Sequence, residues 1–255
     1  MRGIRRGRML KRWRYVGLFG PELMLCAGQV RIGPARQSFW AVWDRGARVL
    51  HERTVLRDGP VRVEPGRVTV ADRDARIELE LDEGDGVEVV TPDGRGYAWT
   101  RKQAGVPARG RVVVSGHEHA VDGLAVVDES AGYHARRTAW RWSTGVGRTV
   151  EGRAVGWNLV TGIHDSPERS ERTVWVDGEP HEVGPVRFAP DLSAVEFAEG
   201  GSLRCAIEAV RERDDNLLLI RSRYGQPFGT FSGSLPGAGE LAEGYGVMER
   251  HEVVW

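Results

Sequence analysis

The chain ends on Gly246-Val247-Met248-Glu249-Arg250-His251-Glu252-Val253-Val254-Trp255, and a related segment, Tyr224-Gly225-Gln226-Pro227-Phe228-Gly229-Thr230-Phe231-Ser232-Gly233, precedes it. The ending alternates, and alternation with period two is the signature of a strand. It sets Glu249, His251, Val253 and Trp255 on one face. A chain that stops on so large an apolar side chain is expected to bury it, so this is the closing strand of a β-structure.

The same period runs outward through the chain. Ile77, Leu79 and Leu81 alternate with Glu78, Glu80 and Asp82. Val68 and Val70 alternate with Arg67 and Thr69, and Thr138, Trp140 and Trp142 with Arg137, Ala139 and Arg141. These patterns describe half-buried antiparallel strands. Asp58-Gly59, Asp93-Gly94 and Asp177-Gly178 are turn pairs that accept positive φ. The 34 glycines and 12 prolines fit many tight turns. The segment Arg204–Arg213 is the best helix candidate, but it has no cap and reads equally as a strand before Leu217-Leu218-Leu219-Ile220. No short-period repeat is visible. Asp128-Glu129-Ser130-Ala131-Gly132 is a soft break, which divides the chain into halves 1–128 and 129–255. Open antiparallel sheets expose edges, so each half is expected to curl into a barrel.

Composition narrows the function classes. The formal net charge is zero, so no global field draws nucleic acid. No apolar run is long enough to span a membrane as a helix, and the start lacks the apolar segment of an export signal. Seven basic residues and no acid occupy the first 14 positions, which reads as a solvated, frayed arm that folding does not need. The only cysteines, Cys26 and Cys205, sit in apolar runs. They are expected as buried free thiols in a reducing cytoplasm. Nine tryptophans suit pocket walls.

Several ordered motifs carry a resemblance. Gly132-Tyr133, Arg137-Thr138-Ala139-Trp140-Arg141-Trp142-Ser143, Gly156-Trp157-Asn158-Leu159, Trp175-Val176-Asp177-Gly178 and the two terminal segments resemble a bacterial family, domain of unknown function 2804. Arg12-Trp13-Arg14-Tyr15 and Phe39-Trp40-Ala41-Val42-Trp43-Asp44 look like the N-terminal half of that family. The family is similar to the double lipocalin-like proteins that include carotenoid hydratases, tocopherol cyclase and some Diels–Alder cyclases. The resemblance implies an all-β fold of two calycin-type antiparallel barrels with few or no helices. It also implies an apolar-ligand pocket between or within them, and supplies no catalytic motif.

The residues themselves suggest where a site lies. Tyr133, Arg137, Trp140, Trp142, Asn158 and Gln226 are the candidate ligand-binding residues: an aromatic wall with a few polar groups suits a lipid- or isoprenoid-like ligand. Glu249 and His251 are the candidate catalytic pair, because side chains two apart on a strand lie about 7 Å apart on one face and a carboxylate beside an imidazole can move protons near neutrality. Alternation puts Arg137 opposite Trp140 and Trp142, so all three share a cavity only if a bulge falls at Thr138 or Ala139. His117-Glu118-His119 lacks a third ligand in any metal spacing, so no metal is expected. No cofactor motif is visible either. The leading expectation is a binder of a small apolar ligand. A cofactor-free hydratase, cyclase or isomerase is the alternative, and a carbohydrate-binding module with exposed tryptophans is a third.

Overall fold

The computed structural model describes residues 3–5, 7–57, 59–93, 96–217 and 220–255. Parts of the turns at Asp58-Gly59 and Asp93-Gly94, of the basic arm (Arg2, Arg6) and of the Leu217–Ile220 run lie outside the described residues. Strands dominate and no helix occurs among the described residues.

In chain order the first half forms β1 (Ile4–Arg5), β2 (Arg8–Met9), β3 (Lys11–Phe19), β4 (Leu23–Ile32), β5 (Ala35–Asp44) and β6 (Val49–Val55). It continues with β7 (Val61–Glu64), β8 (Arg67–Ala71), β9 (Ala75–Leu81), β10 (Val87–Asp93), β11 (Gly96–Val114) and β12 (His117–Gly132). The second half forms β13 (Arg137–Thr149), β14 (Ala154–Thr161), β15 (Thr173–Val176), β16 (Glu179–Glu182), β17 (Val186–Phe188) and β18 (Ala194–Phe197). Three long strands close it: β19 (Ser202–Leu217), β20 (Ile220–Leu235) and β21 (Gly239–Val254). The helix candidate Arg204–Arg213 is therefore part of a strand. The sheets change over at 133–136, a little beyond Asp128, because β12 keeps its ladders with β11 and β3 as far as Gly132.

The two large sheets have one design. The first runs β6-β5-β4-β3-β12-β11-β9-β8-β7, with β10 paired to β11, and the second runs β16-β15-β14-β13-β21-β20-β19-β18-β17. Every strand of the second path has a counterpart in the first, so the chain is an internal duplication. Each path curls until its last strand faces its own third strand, β7 against β4 and β17 against β14. A side chain seals the first of these seams. The Gln29 amide donates to Val61 O at 3.1 Å and accepts from Val63 N at 3.2 Å, as a paired backbone would. In the second half, Arg172 Nε prolongs the β15–β16 ladder instead, donating to the carbonyls of Val183 and Gly184.

Both curled sheets are filled. Val16, Leu25, Trp40, Val68, Ile77 and Leu79 pack inside the first, and Trp157, Leu159, Val174, Val195 and Leu203 inside the second. The alternation of β9 is observed as expected: Ile77, Leu79 and Leu81 are buried and Glu78 and Glu80 exposed. Asp177 and Gly178 both take positive φ in the β15–β16 turn. A third apolar layer joins the halves, with Tyr15, Met24, Cys26, Trp43, Trp142, Phe228 and Val247 in it. At one point the backbones nearly touch: a Cβ on Gly156 would lie 2.6 Å from Ala104 Cβ, beside the β11 bulge at Gly105. Glu208 fastens the edge, accepting from Arg45 Nε at 2.7 Å, Arg45 Nη2 at 2.9 Å and Trp43 Nε1 at 2.9 Å.

The basic arm is not a free tail. β1 and β2 pair as a short hairpin. Arg5 stacks over the Tyr97 ring, Arg8 donates to Tyr133 O, and Leu10 is buried. Cation–aromatic contact, unreadable from a charge run, holds the arm down.

Candidate functional site

A cavity of about 300 Å³ lies between the two sheets, outside both filled barrels. It is bounded by the outward faces of β3, β4, β5 and β12 on one side and β13, β19, β20 and β21 on the other. The duplication explains its walls. Trp13 and Tyr15 of β3 lie opposite Ser130 and Asp128 of β12; Trp140 and Trp142 of β13 lie opposite His251 and Glu249 of β21. The equivalent indoles Trp13 and Trp140 stack on each other, 6.5 Å between ring centres and 7° from parallel. Asp128 and Glu249 are likewise equivalent, and both face the cavity.

Glu249 is held by donors from the two neighbouring strands β13 and β20. Its Oε1 accepts from Trp140 Nε1 at 2.8 Å and its Oε2 from Gln226 Nε2 at 3.1 Å. Burial pushes its carboxyl up to about 7; hydrogen bonds from Trp140 and Tyr224 oppose that push, the Asp128 charge adds to it, and Arg211 opposes it. His251 accepts or donates at Ser222 Oγ, 2.7 Å from Nε2, and its ring lies 4.4 Å from the Trp140 ring centre. Burial pushes the imidazole down to about 3, and the Arg211 guanidinium pushes the same way. The two side chains share a face as expected. Their bonds go elsewhere, however: Glu249 is bonded to Trp140 and Gln226 and His251 to Ser222, rather than to one another. With the imidazole neutral and the carboxyl titrating near neutrality, Glu249 rather than His251 is the group of the pair that could exchange a proton there.

The other expected residues divide by position. Trp140 and Trp142 line the cavity. Asn158 and Gln226 sit behind the wall: Asn158 Oδ1 accepts from Trp142 Nε1 at 2.8 Å, and Gln226 holds Glu249 and accepts from Cys26 Sγ at 3.5 Å. Arg137 is exposed, because β13 keeps an unbroken register from Arg137 to Arg148 and no bulge turns it inward. Tyr133 is buried against Tyr97 at the sheet changeover, away from the cavity lining. His117 is exposed and His119 lies 3.6 Å from Asp44. Among the described residues no three His, Cys, Asp or Glu side chains gather as a metal site. No tryptophan among them is exposed, which removes the basis for a sugar-binding platform.

Four cavity groups went unread in the sequence: Arg211, Lys102, Asp128 and Glu171. Arg211, 2% exposed, lies 4.4 Å from the Phe39 ring centre and 5.1 Å from that of Tyr224, is ion-paired to Glu52 at 2.8 Å, and donates from Nη2 to Thr54. Lys102 reaches Asp128 at 2.6 Å and Glu171 at 3.4 Å. Burial works against the Lys102 ammonium, but its two carboxylates outweigh that and raise its pKa; burial also raises Asp128 despite the lysine. One signal was present for Lys102. The chain has two lysines, Lys11 and Lys102, and each is only 3% exposed.

The family model for a domain of unknown function, DUF2804, matches residues 60–255. The chain belongs to this family. The matched span holds β21, Trp140, Trp142 and Glu249, whereas the motifs around Trp13 and Phe39–Asp44 precede it. No curated protein matches this DUF2804 chain. Solved structures share its fold. A putative AttH from Nitrosomonas europaea is 13% identical, with 97% of this chain and 94% of that one covered at a TM-score of 0.60. Kievitone hydratase from Nectria haematococca is 11% identical, with 96% and 88% covered at 0.59. CghA is 11% identical, with 96% and 88% covered at 0.51. These likenesses establish the lipocalin-like, all-β architecture of the DUF2804 chain. No helix among its described residues is long and apolar enough to cross a membrane.

Proposed function

We propose that the chain binds a small, mostly apolar, ring-bearing ligand in the cavity between its two sheets. The observation that carries this reading is the cavity wall: Trp13, Tyr15, Phe39, Trp140, Trp142 and Tyr224 surround about 300 Å³, while a few buried polar groups face inward. Aromatic faces supply dispersion and apolar area, and isolated polar groups fix orientation. Native mass spectrometry of protein purified from its own host, followed by solvent extraction, tests it. A small apolar molecule released on denaturation supports the reading. Both free cysteines are buried, and burial pushes their thiols up to about 12; we place the protein in a reducing cytoplasm on that ground.

One observation favours catalysis as a second reading. Glu249 is a buried carboxyl titrating near neutrality at an aromatic wall. Protonated Glu249 would donate to an alkene carbon, Trp140 and Trp142 would stabilise the resulting cation, and water or an internal nucleophile would complete hydration or cyclisation. The likeness to a hydratase agrees with this chemistry. The extracted molecule incubated with the protein in deuterated water should gain deuterium at carbon, and Glu249→Gln should abolish that gain. Gain unchanged by the substitution would exclude Glu249 as the acid.

A further inference from the structure

The duplication is broken at one place that matters to the cavity. In the first half β4 joins β5 through Gly33 and Pro34 alone, whereas in the second half β14 joins β15 through residues 162–172. This insert folds back over the cavity. Arg172, 1% exposed, pins it by donating to the carbonyls of Ser166, Pro167, Val183 and Gly184. Asn158 Nδ2 holds its end at Glu171 O, 2.8 Å away. The backbone on both sides of Glu171 is thereby fixed, and its side chain lines the cavity facing Lys102 and Asp128 of the other half.

Glu171 is 2% exposed, and its Oε2 has no hydrogen-bonding partner among the described residues. A buried acceptor left unmatched is costly unless something entering the cavity supplies a donor. Lys102 already serves Asp128 and Glu171 Oε1, so one ammonium is shared by two carboxylates. The other cations lining the cavity are engaged elsewhere. Arg14 pairs with Glu83 and Glu129, and Arg211 with Glu52 and Thr54. At Glu171 itself the free capacity is for accepting a hydrogen bond, beside a single ammonium shared by two carboxylates.

We propose that Glu171, set against Lys102 and Asp128, is an acceptor subsite for a hydroxyl group of the ligand, so that the cavity selects neutral phenols and alcohols over both bare hydrocarbons and carboxylic acids. This rests on the binding reading above and adds the ligand class. Lipid acids, the usual cargo of an apolar pocket with a cation at its end, are disfavoured here by the second carboxylate. Glu249 does not compete for the hydroxyl as Glu171 does, because both its oxygens already accept from Trp140 and Gln226.

Calorimetric titration with naphthalene, 2-naphthol and 2-naphthoate tests the subsite on the intact chain. The parent should bind 2-naphthol about tenfold more tightly than naphthalene, the effect of one hydrogen bond to a charged acceptor, and 2-naphthoate more weakly than either. Glu171→Met should erase the advantage of 2-naphthol while leaving naphthalene affinity in place, and Glu171→Gln, which keeps the shape, should reduce it. Should the methionine variant fail to fold, the glutamine variant and the three-probe ranking on the parent still decide. The proposal is overturned if 2-naphthoate binds as well as 2-naphthol, or if the advantage survives in the variants. Binding of naphthalene without any preference for 2-naphthol removes the subsite and leaves the cavity; failure of all three probes to bind removes both.

Discussion

At the scale of the residue, Glu249 and His251 make opposite demands on pH. The Glu249 carboxyl is raised from 4.5 to about 7. Between those values the folded chain holds a proton that the unfolded chain has released, so this group's contribution to stability is complete below pH 4.5 and disappears as pH rises through 7. The difference amounts to on the order of 3 kcal/mol. Glu249→Gln mimics the protonated form. Its stability advantage over the parent should therefore grow from pH 5 to pH 8 in urea titrations, and a constant difference would contradict the assignment. His251 is lowered from 6.5 to about 3. Its contribution is complete above pH 6.5 and is lost as pH falls toward 3. Its ring resonances should show the neutral form at pH 5 by NMR, and a midpoint near 6.5 would place the ring in water. The alternation on β21 made both residues legible in the sequence. Their partners were not, because Trp140, Gln226 and Ser222 reach them from neighbouring strands whose register no local pattern fixes. Arg137 was misplaced for a related reason: a bulge was needed to turn it inward, and the ladder shows none there. Arg211 was hidden among many exposed arginines, although its rings and carboxylate lie far off in sequence.

At the scale of the element, turns and half-buried strands could be read because each depends on a few adjacent residues. The duplication could not. Its halves share strand order and positions such as Trp13 with Trp140 and Asp128 with Glu249, but no extended motif. The seams were equally silent, since a single glutamine acting as a strand edge has no signature. Gln29→Ala would break two bonds to β7 and leave Val61 O and Val63 N without that partner. A loss of about 1–3 kcal/mol is expected in chemical denaturation, with faster amide exchange in β7. Unchanged exchange there would mean that the seam is held by apolar packing alone. The C-terminal strand is tied similarly: Trp255 N donates to Arg136 O at 2.8 Å, Trp255 Nε1 donates to Thr138 Oγ1 at 3.1 Å, and Val253 is 3% exposed. Deleting Val253–Trp255 should lower the melting temperature by several degrees. An unchanged temperature would show that these contacts contribute nothing.

At the scale of the whole molecule, the halves are joined by a layer that also forms part of the cavity wall. Trp142 belongs to both, packing in the joining layer and lining the cavity. Trp142→Ala should cost about 3–5 kcal/mol and should lower one cooperative transition rather than split it, because the same layer buries both sheets. Two separated transitions would mean that the halves fold independently. The aromatic count pointed to a pocket, and the family resemblance to two barrels. The resemblance left open whether the pocket lies within the barrels or between them. Its placement between them follows from Trp40, Trp157 and the aliphatic strands filling the interiors, which leaves Trp13, Trp140 and Trp142 to line the gap. The central claim is that this gap is a binding site with Trp140 as its principal wall. Calorimetric titration of the parent, Trp140→Ala and Glu249→Gln with 2-naphthol tests it most directly. Saturable binding that weakens about tenfold or more in Trp140→Ala, and less in Glu249→Gln, is the predicted result; equal affinity in all three proteins would contradict it.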